Sequence, residues 1–195
     1  MKNQAKFKVL GLSLLLSIVT LFSSFSDDDG GIKGWFLAGN SPESYEIGVE
    51  SNNGDKVAYL KSTKNVKKGF GTLMQQFVPK DYRGKRVKLT ASIKSEEVID
   101  WAGMWMRVDG ADDKVLSFDN MQDRPIVGTT EWKECEIILD VPKESEMLAY
   151  GVLLSGAGNV WIDQFKFEVV EKSTETTGTS KSVNLEAPSN TSFEE

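Results

Sequence analysis

Short runs in which apolar and polar residues alternate one for one, cut apart by turn-forming clusters, limit this chain's fold more than any other feature. Val87, Leu89, Ala91 and Ile93 alternate with Arg86, Lys88, Thr90 and Ser92. Cys135, Ile137, Leu139 and Val141 share one side of the stretch 133–141, and Trp161, Asp163, Phe165 and Phe167 share one side of 160–169. A β-strand places every second side chain on the same face, so such runs read as strands with one face turned to a core. Further strands are expected at 44–49, 56–62, 71–77, 115–118 and 148–154. Asn52-Asn53-Gly54-Asp55, Lys68-Gly69, Arg83-Gly84, Asp109-Gly110 and Gly156-Ala157-Gly158-Asn159 supply the turns between them. No segment carries an apolar stripe at helical spacing. The pattern predicts an all-β fold, an antiparallel β-sandwich of jelly-roll type in a single domain with flexible tails.

The ends differ in kind from this middle. Lys2, Lys6 and Lys8 precede the apolar run Val9 to Phe22, 14 residues long. A membrane-spanning helix needs roughly 17–25 residues. Ser24 and Ser26 stand where an export peptidase takes small residues. A signal peptide is therefore expected over 1–26, with an uncleaved anchor as the alternative. An acidic leader follows over 27–31, then the sandwich over 32–171. The stretch 172–195 is rich in Ser, Thr and Glu and short of apolar side chains to offset the entropy of ordering, so it reads as a disordered tail. The location implied is secreted or periplasmic, with no membrane attachment after cleavage. No cysteine stands near the cleavage site to carry a lipid.

Composition removes several chemistries. The chain of 195 residues has no histidine and one cysteine, Cys135. That excludes imidazole bases, His-dependent nucleophiles, imidazole metal sites and an internal disulfide. With 23 basic against 29 acidic residues, a net charge of −6, it does not fit a nucleic-acid backbone as partner. Nothing in the sequence specifies an oligomeric state.

The most informative stretch is Trp101-Ala102-Gly103-Met104-Trp105-Met106-Arg107-Val108-Asp109. As a strand it turns Ala102, Met104, Met106 and Val108 to the core and Trp101, Trp105, Arg107 and Asp109 the other way. Indoles offer flat apolar surfaces for the C–H face of a sugar, and Arg and Asp supply directional hydrogen bonds for its hydroxyls. The alternative is that the two indoles are buried under a loop. Asp119, Asn120, Gln122, Asp123 and Arg124 form a second dense polar group, either a ligand-contacting loop or one that satisfies itself. Gln75 is an additional expected ligand contact. Asp163, set among apolar neighbours, needs a partner, and with Glu46 it is an expected site for a structural Ca²⁺. A hydrogen-bonded Asp163 without metal is the equal alternative.

The order of features resembles the carbohydrate-binding jelly-roll modules of bacterial glycosidases, which share a galactose-binding-like sandwich. The matching residues are Gly34-Trp35, the Gly-rich strand ending in Gln75-Gln76-Phe77, the stretch from Tyr82-Arg83-Gly84 to Ser92, and the closing Trp161-Ile162-Asp163-Gln164-Phe165. Gly69 to Gln75, Trp101 to Asp109 and Phe118 to Pro125 are also similar to an uncharacterised bacterial group of sandwiches, some of them joined to helix-turn-helix regulators. The resemblance implies binding of a carbohydrate or other small polar ligand, and the expected export signal sets this chain apart from a DNA-bound regulator.

Three function classes follow. The first is a non-catalytic carbohydrate-binding module using the Trp101–Asp109 face. The second is a protein-interaction or structural sandwich. The third is a carboxylate-dependent glycan-active enzyme. It would need two carboxylates among Asp109, Asp119 and Asp123, facing one another across a cleft at about 5–10 Å.

Overall fold

The structure, a computed structural model, describes residues 32–180 apart from 53, 64, 65 and 67. The expected signal peptide, the acidic leader and the chain beyond 180 lie outside the described residues. Within them the chain forms β1 (Phe36–Gly39), β2 (Tyr45–Asn52), β3 (Asp55–Ser62), β4 (Phe70–Phe77), β5 (Lys85–Asp109), β6 (Val115–Asp119), β7 (Ile126–Val141), β8 (Met147–Ser155), β9 (Asn159–Val170) and β10 (Thr179–Ser180). No described helix is long and apolar enough to cross a membrane.

Every pairing is antiparallel. The two separate strands expected at 86–93 and 101–109 are one 25-residue strand. Its first half pairs with β9 and β7, and its second half with β8 and β6. β5 therefore passes from one layer of the sandwich to the other. The layer built on its first half runs β2-β3-β9-β5-β7, and that on its second half β1-β4-β8-β5-β6. Register shifts between Ile93 and Ala102 mark the crossing.

The expected core faces meet between the layers. Val87, Leu89, Ile93, Ala102, Met104, Met106 and Val108 are fully buried, as are Ile137, Leu139 and Val141. Burying each large apolar side chain contributes roughly 1.5–3 kcal/mol, so this shared interior holds the two layers together. Trp35 stacks on Phe165 at 5.0 Å and meets Tyr150 edge-on at 5.2 Å. That cluster fastens β9 to the turn at 32–35.

Two expectations change. β9 does not keep one alternation from end to end. Ser92 lies opposite Asp163 but Thr90 lies opposite Lys166, so one extra residue bulges from β9, and Gln164 has φ 58°. A bulge of this kind reverses which side later residues face. Ile162 points inward before it, and Phe165 and Phe167 pack on the core after it. Trp161 and Asp163 are left on the outside. The expected disordered tail is also held in its described part. Thr177 donates its N–H to the Ile138 carbonyl, Lys172 and Thr174 carbonyls accept from Arg86, and Thr179–Ser180 pairs with β6.

Candidate functional site

The outer face of the second-half layer carries the expected site. Strand register places Trp101, Gly103, Trp105, Arg107 and Asp109 of β5 beside Ser155, Leu153, Gly151, Ala149 and Met147 of β8. Thr72 and Met74 of β4 and Phe36 of β1 continue the rows. Phe70, Met74, Trp105, Ala149 and Leu153 make a buried apolar floor, with half-buried Phe36, Trp101 and Phe118 around it.

Trp105 is not a free platform. It is 3% exposed, and its Nε1 donates to Thr72 Oγ1 at 2.7 Å. Thr72 lies two strands away, so the indole reaches across β8. The expected pair of exposed indoles is thus corrected: Trp105 is floor, and Trp101 is the half-exposed ring. The Trp101 indole nitrogen has no acceptor among the described residues.

Arg107 and Asp109 lie farther along the same face. Arg107 Nε donates to Asp109 Oδ2 at 2.9 Å. The Arg107 Nη1 and Nη2 groups make no hydrogen bond to a described residue. Asp109 is 5% exposed, yet its Oδ1 is buried without a partner. Leaving such an oxygen unpaired costs on the order of 1–3 kcal/mol. Burial pushes the Asp109 carboxyl above its ordinary range, against the lowering effect of Arg107.

The remaining expected residues are elsewhere. Gln75 falls one position out of phase, on the inner side, where its amide accepts from Tyr150 Oη at 2.6 Å and donates to the Gly34 carbonyl at 3.0 Å. It ties strands together and does not join the face. Asp119 lies opposite Met106, on the inner side. Its carboxylate accepts from Met121 N, from Arg124 Nη2 at 2.7 Å and from Thr177 Oγ1 at 2.5 Å. Arg124 also reaches Asp123 Oδ1 and the Glu136 carbonyl. Asn120 Oδ1 accepts from Gln122 N, closing a tight turn, and the Gln122 side chain is exposed. The loop satisfies itself. Asp109 and Asp119 project from opposite sides of their layer, which removes them as facing carboxylates. Asp123, but neither of these, lines an open depression of about 420 Å³ beside Thr174–Thr177.

Asp163 and Glu46 do not converge. Glu46 lies opposite Lys61, which lies opposite Asn159. Four residues of β9 at about 3.3 Å each separate that row from Asp163, some 13 Å. Asp163 Oδ1 instead accepts from Gln164 N at 2.8 Å, pinning the bulge. Among the described residues no three Asp, Glu or Cys side chains are grouped to hold a metal ion.

The sequence reading missed the outer face of the other layer. Tyr59, Trp161 and Trp132 are half-buried there, with Lys61, Lys94 and Glu50. Unbroken alternation over 160–169 would put Trp161 on the core face with Phe165 and Phe167, and the bulge leaves it on the other side. Gly48, where an added Cβ would meet Tyr59 ring carbons at 2.6–2.8 Å, leaves room for that ring.

No protein-family model matches the chain. YbfP of Bacillus subtilis (strain 168), described as an uncharacterised HTH-type transcriptional regulator, is 46% identical over 169 residues, 84% of this chain and 57% of that protein. The chain thus spans just over half the length of that relative. The enzymatically active domain of bacteriophage CBA120 tailspike protein 4 superposes with a TM-score of 0.56 at 13% identity, covering 74% of this chain and 20% of that one. The CBM22-1 xylan-binding domain from Paenibacillus barcinonensis superposes with a TM-score of 0.51 at 13% identity, covering 75% and 92%. At such identity the likeness defines the fold, an antiparallel β-sandwich of the kind found in carbohydrate-binding modules.

Proposed function

We propose that the protein is an exported, non-catalytic carbohydrate-binding module whose site is the outer face of the layer built on the second half of β5. The observation that carries this reading is the pair Arg107 and Asp109. It leaves both guanidinium Nη groups unused at the end of an aromatic face, with Asp109 holding the guanidinium in place through Nε. Sugar hydroxyl oxygens accept from such donors. Each new bond to the charged groups contributes about 1.5–3 kcal/mol. Trp101, with a free indole N–H, supplies the stacking surface, and Trp105 holds the floor rigid beneath it. Rigidity lowers the entropy lost on binding. The xylan-binding neighbour makes a xylan fragment the first ligand to try.

A second reading, a sensory sandwich that binds a small polar molecule with the same face, is favoured by the 46% identity to a transcriptional regulator. Glycan-array binding of the wild type, Trp101→Ala and Asp109→Asn separates the cases. Binding to oligosaccharides that falls at least about tenfold in both variants, 1.4 kcal/mol, supports the module. Binding of monosaccharides alone supports the sensor. Glycan binding unchanged in both variants removes this face.

A further inference from the structure

We infer that Gln76 is a further ligand contact of this site, forming with Arg107 a seat for one sugar ring of an extended oligosaccharide. The inference rests on the reading above and adds to it a contact residue and a ligand orientation.

Gln75 turns inward to Tyr150 and Gly34, so the next residue of β4, Gln76, leaves from the outer face. It is exposed. Strand register sets it in line with Arg107: both lie opposite Ala149, one on each side of β8. Two strand spacings of about 4.8 Å put their backbones roughly 10 Å apart. The bed between and beside them is Ala149 and half-buried Met147, which are apolar and uncharged.

Few groups on this face are free to bond. Thr72 Oγ1 donates to the Val152 carbonyl and accepts from Trp105 Nε1. Ser155 Oγ donates to Asp100 Oδ2 at 3.4 Å. Asp109 Oδ1 is unbonded but buried. Among the described residues of these rows, the unbonded side-chain groups not sealed from solvent are Trp101 Nε1, the Arg107 Nη groups and the Gln76 amide.

Arg107 and Gln76 thus flank one apolar bed, and their chemistry is complementary. Arg107 can only donate, whereas the Gln76 amide donates and accepts. A sugar ring lying on Ala149 and Met147 meets them with its C–H face down and its hydroxyls outward on both edges. Trp101 stands six residues of β5 from Arg107, roughly 20 Å at about 3.3 Å each. A ligand that fills the seat and also reaches Trp101 is therefore an extended oligosaccharide lying along β8. A monosaccharide engages one end only.

The test is calorimetric titration of xylohexaose into the full chain. The wild type is compared with Gln76→Ala, Arg107→Ala, the double variant and Trp101→Ala, each checked for folding by circular dichroism. The Gln76 side chain bonds to no described residue, so its truncation leaves the fold intact. Gln76→Ala should weaken binding about threefold to tenfold, the loss of one or two neutral hydrogen bonds. Because both side chains hold one ring, the double variant should lose less than the product of the two single losses. If Arg107→Ala fails to fold, Arg107→Lys replaces it in the cycle, since that change keeps a positive charge beside Asp109 and removes the two-pronged donor. Wild-type affinity in Gln76→Ala overturns the seat; if Trp101→Ala is weakened at the same time, the reading above stands. Losses that multiply independently put Gln76 and Arg107 on different rings and overturn the shared seat. Weakening in Gln76→Ala with none in Trp101→Ala supports the seat and refutes the Trp101 platform. Xylohexaose that does not bind the wild type overturns the seat together with xylan as the ligand.

Discussion

Trp105 and Trp161 both point away from the core, one from each layer, and they end in opposite states. Beside Trp105 are Phe70, Met74, Ala149 and Leu153, so the ring is sealed among apolar side chains at 3% exposure. Beside Trp161 are Lys61, Lys94 and Glu50, whose charges keep solvent close, so the ring stays half-exposed. The difference teaches that alternation fixes only the side a residue leaves from. Its cross-strand neighbours fix whether it remains open.

The contrast can be broken most directly by truncation. Trp105→Ala should cost about 3–5 kcal/mol, because a large buried ring leaves a cavity. Urea denaturation measures this, and a loss below about 1 kcal/mol would contradict the sealed floor. Asp119→Ala should follow at about 2–3 kcal/mol, since it removes charged hydrogen bonds to Arg124, Thr177 and the 119–124 turn at once. Hydrogen exchange at 177–180 should speed up in the same variant; unchanged protection there would show that Thr177 does not anchor the segment. Trp161→Ala should cost only about 1 kcal/mol, well under the Trp105 value. Equal losses would erase the distinction between the faces.

The smallest effect is electrostatic. The Asp109 carboxyl is raised above its ordinary range by burial, so the folded state holds its proton more tightly than the unfolded one. Its contribution is most favourable below the ordinary Asp value and declines as pH rises from there through the folded pKa. Asp140 behaves in the opposite sense. Its bond to Arg86 and then its contact with Lys172 hold its carboxyl low, against burial, so its contribution is present above the ordinary Asp value and lost on acidification. Stability of Asp109→Asn relative to the wild type should therefore shift in favour of the variant between pH 3 and 7, as followed by thermal melts. A difference that does not vary with pH would contradict the buried, under-bonded carboxylate.

The fold was legible because strand periodicity and turn residues are local signals. Ala102, Met104, Met106 and Val108 are as buried as their alternation requires. The site was legible in part. Which residues of 101–109 leave the core follows from period two, but the length of β5, with one strand serving both layers, is a long-range fact. The burial of Trp105 depends on Thr72, Met74 and Leu153, far away in sequence. The bulge at Gln164 reversed the inference for Trp161 and Asp163, and nothing in that alternating run marks it. Asp119 with Arg124 was readable as a self-satisfied loop, whereas the third partner, Thr177, lay in a stretch whose composition resembles a tail.

Indole N–H resonances offer the most direct test of the central claim that Trp101 meets a sugar while Trp105 supports it from beneath. The five tryptophan Nε1–H signals are assigned by single substitution and followed by NMR during xylohexaose titration. The Trp101 signal should shift on titration, while the Trp105 signal, bound to Thr72, should stay in place and exchange slowly with solvent. A Trp101 signal that stays fixed while sugar binds, or a Trp105 indole that exchanges freely with water, would contradict the account.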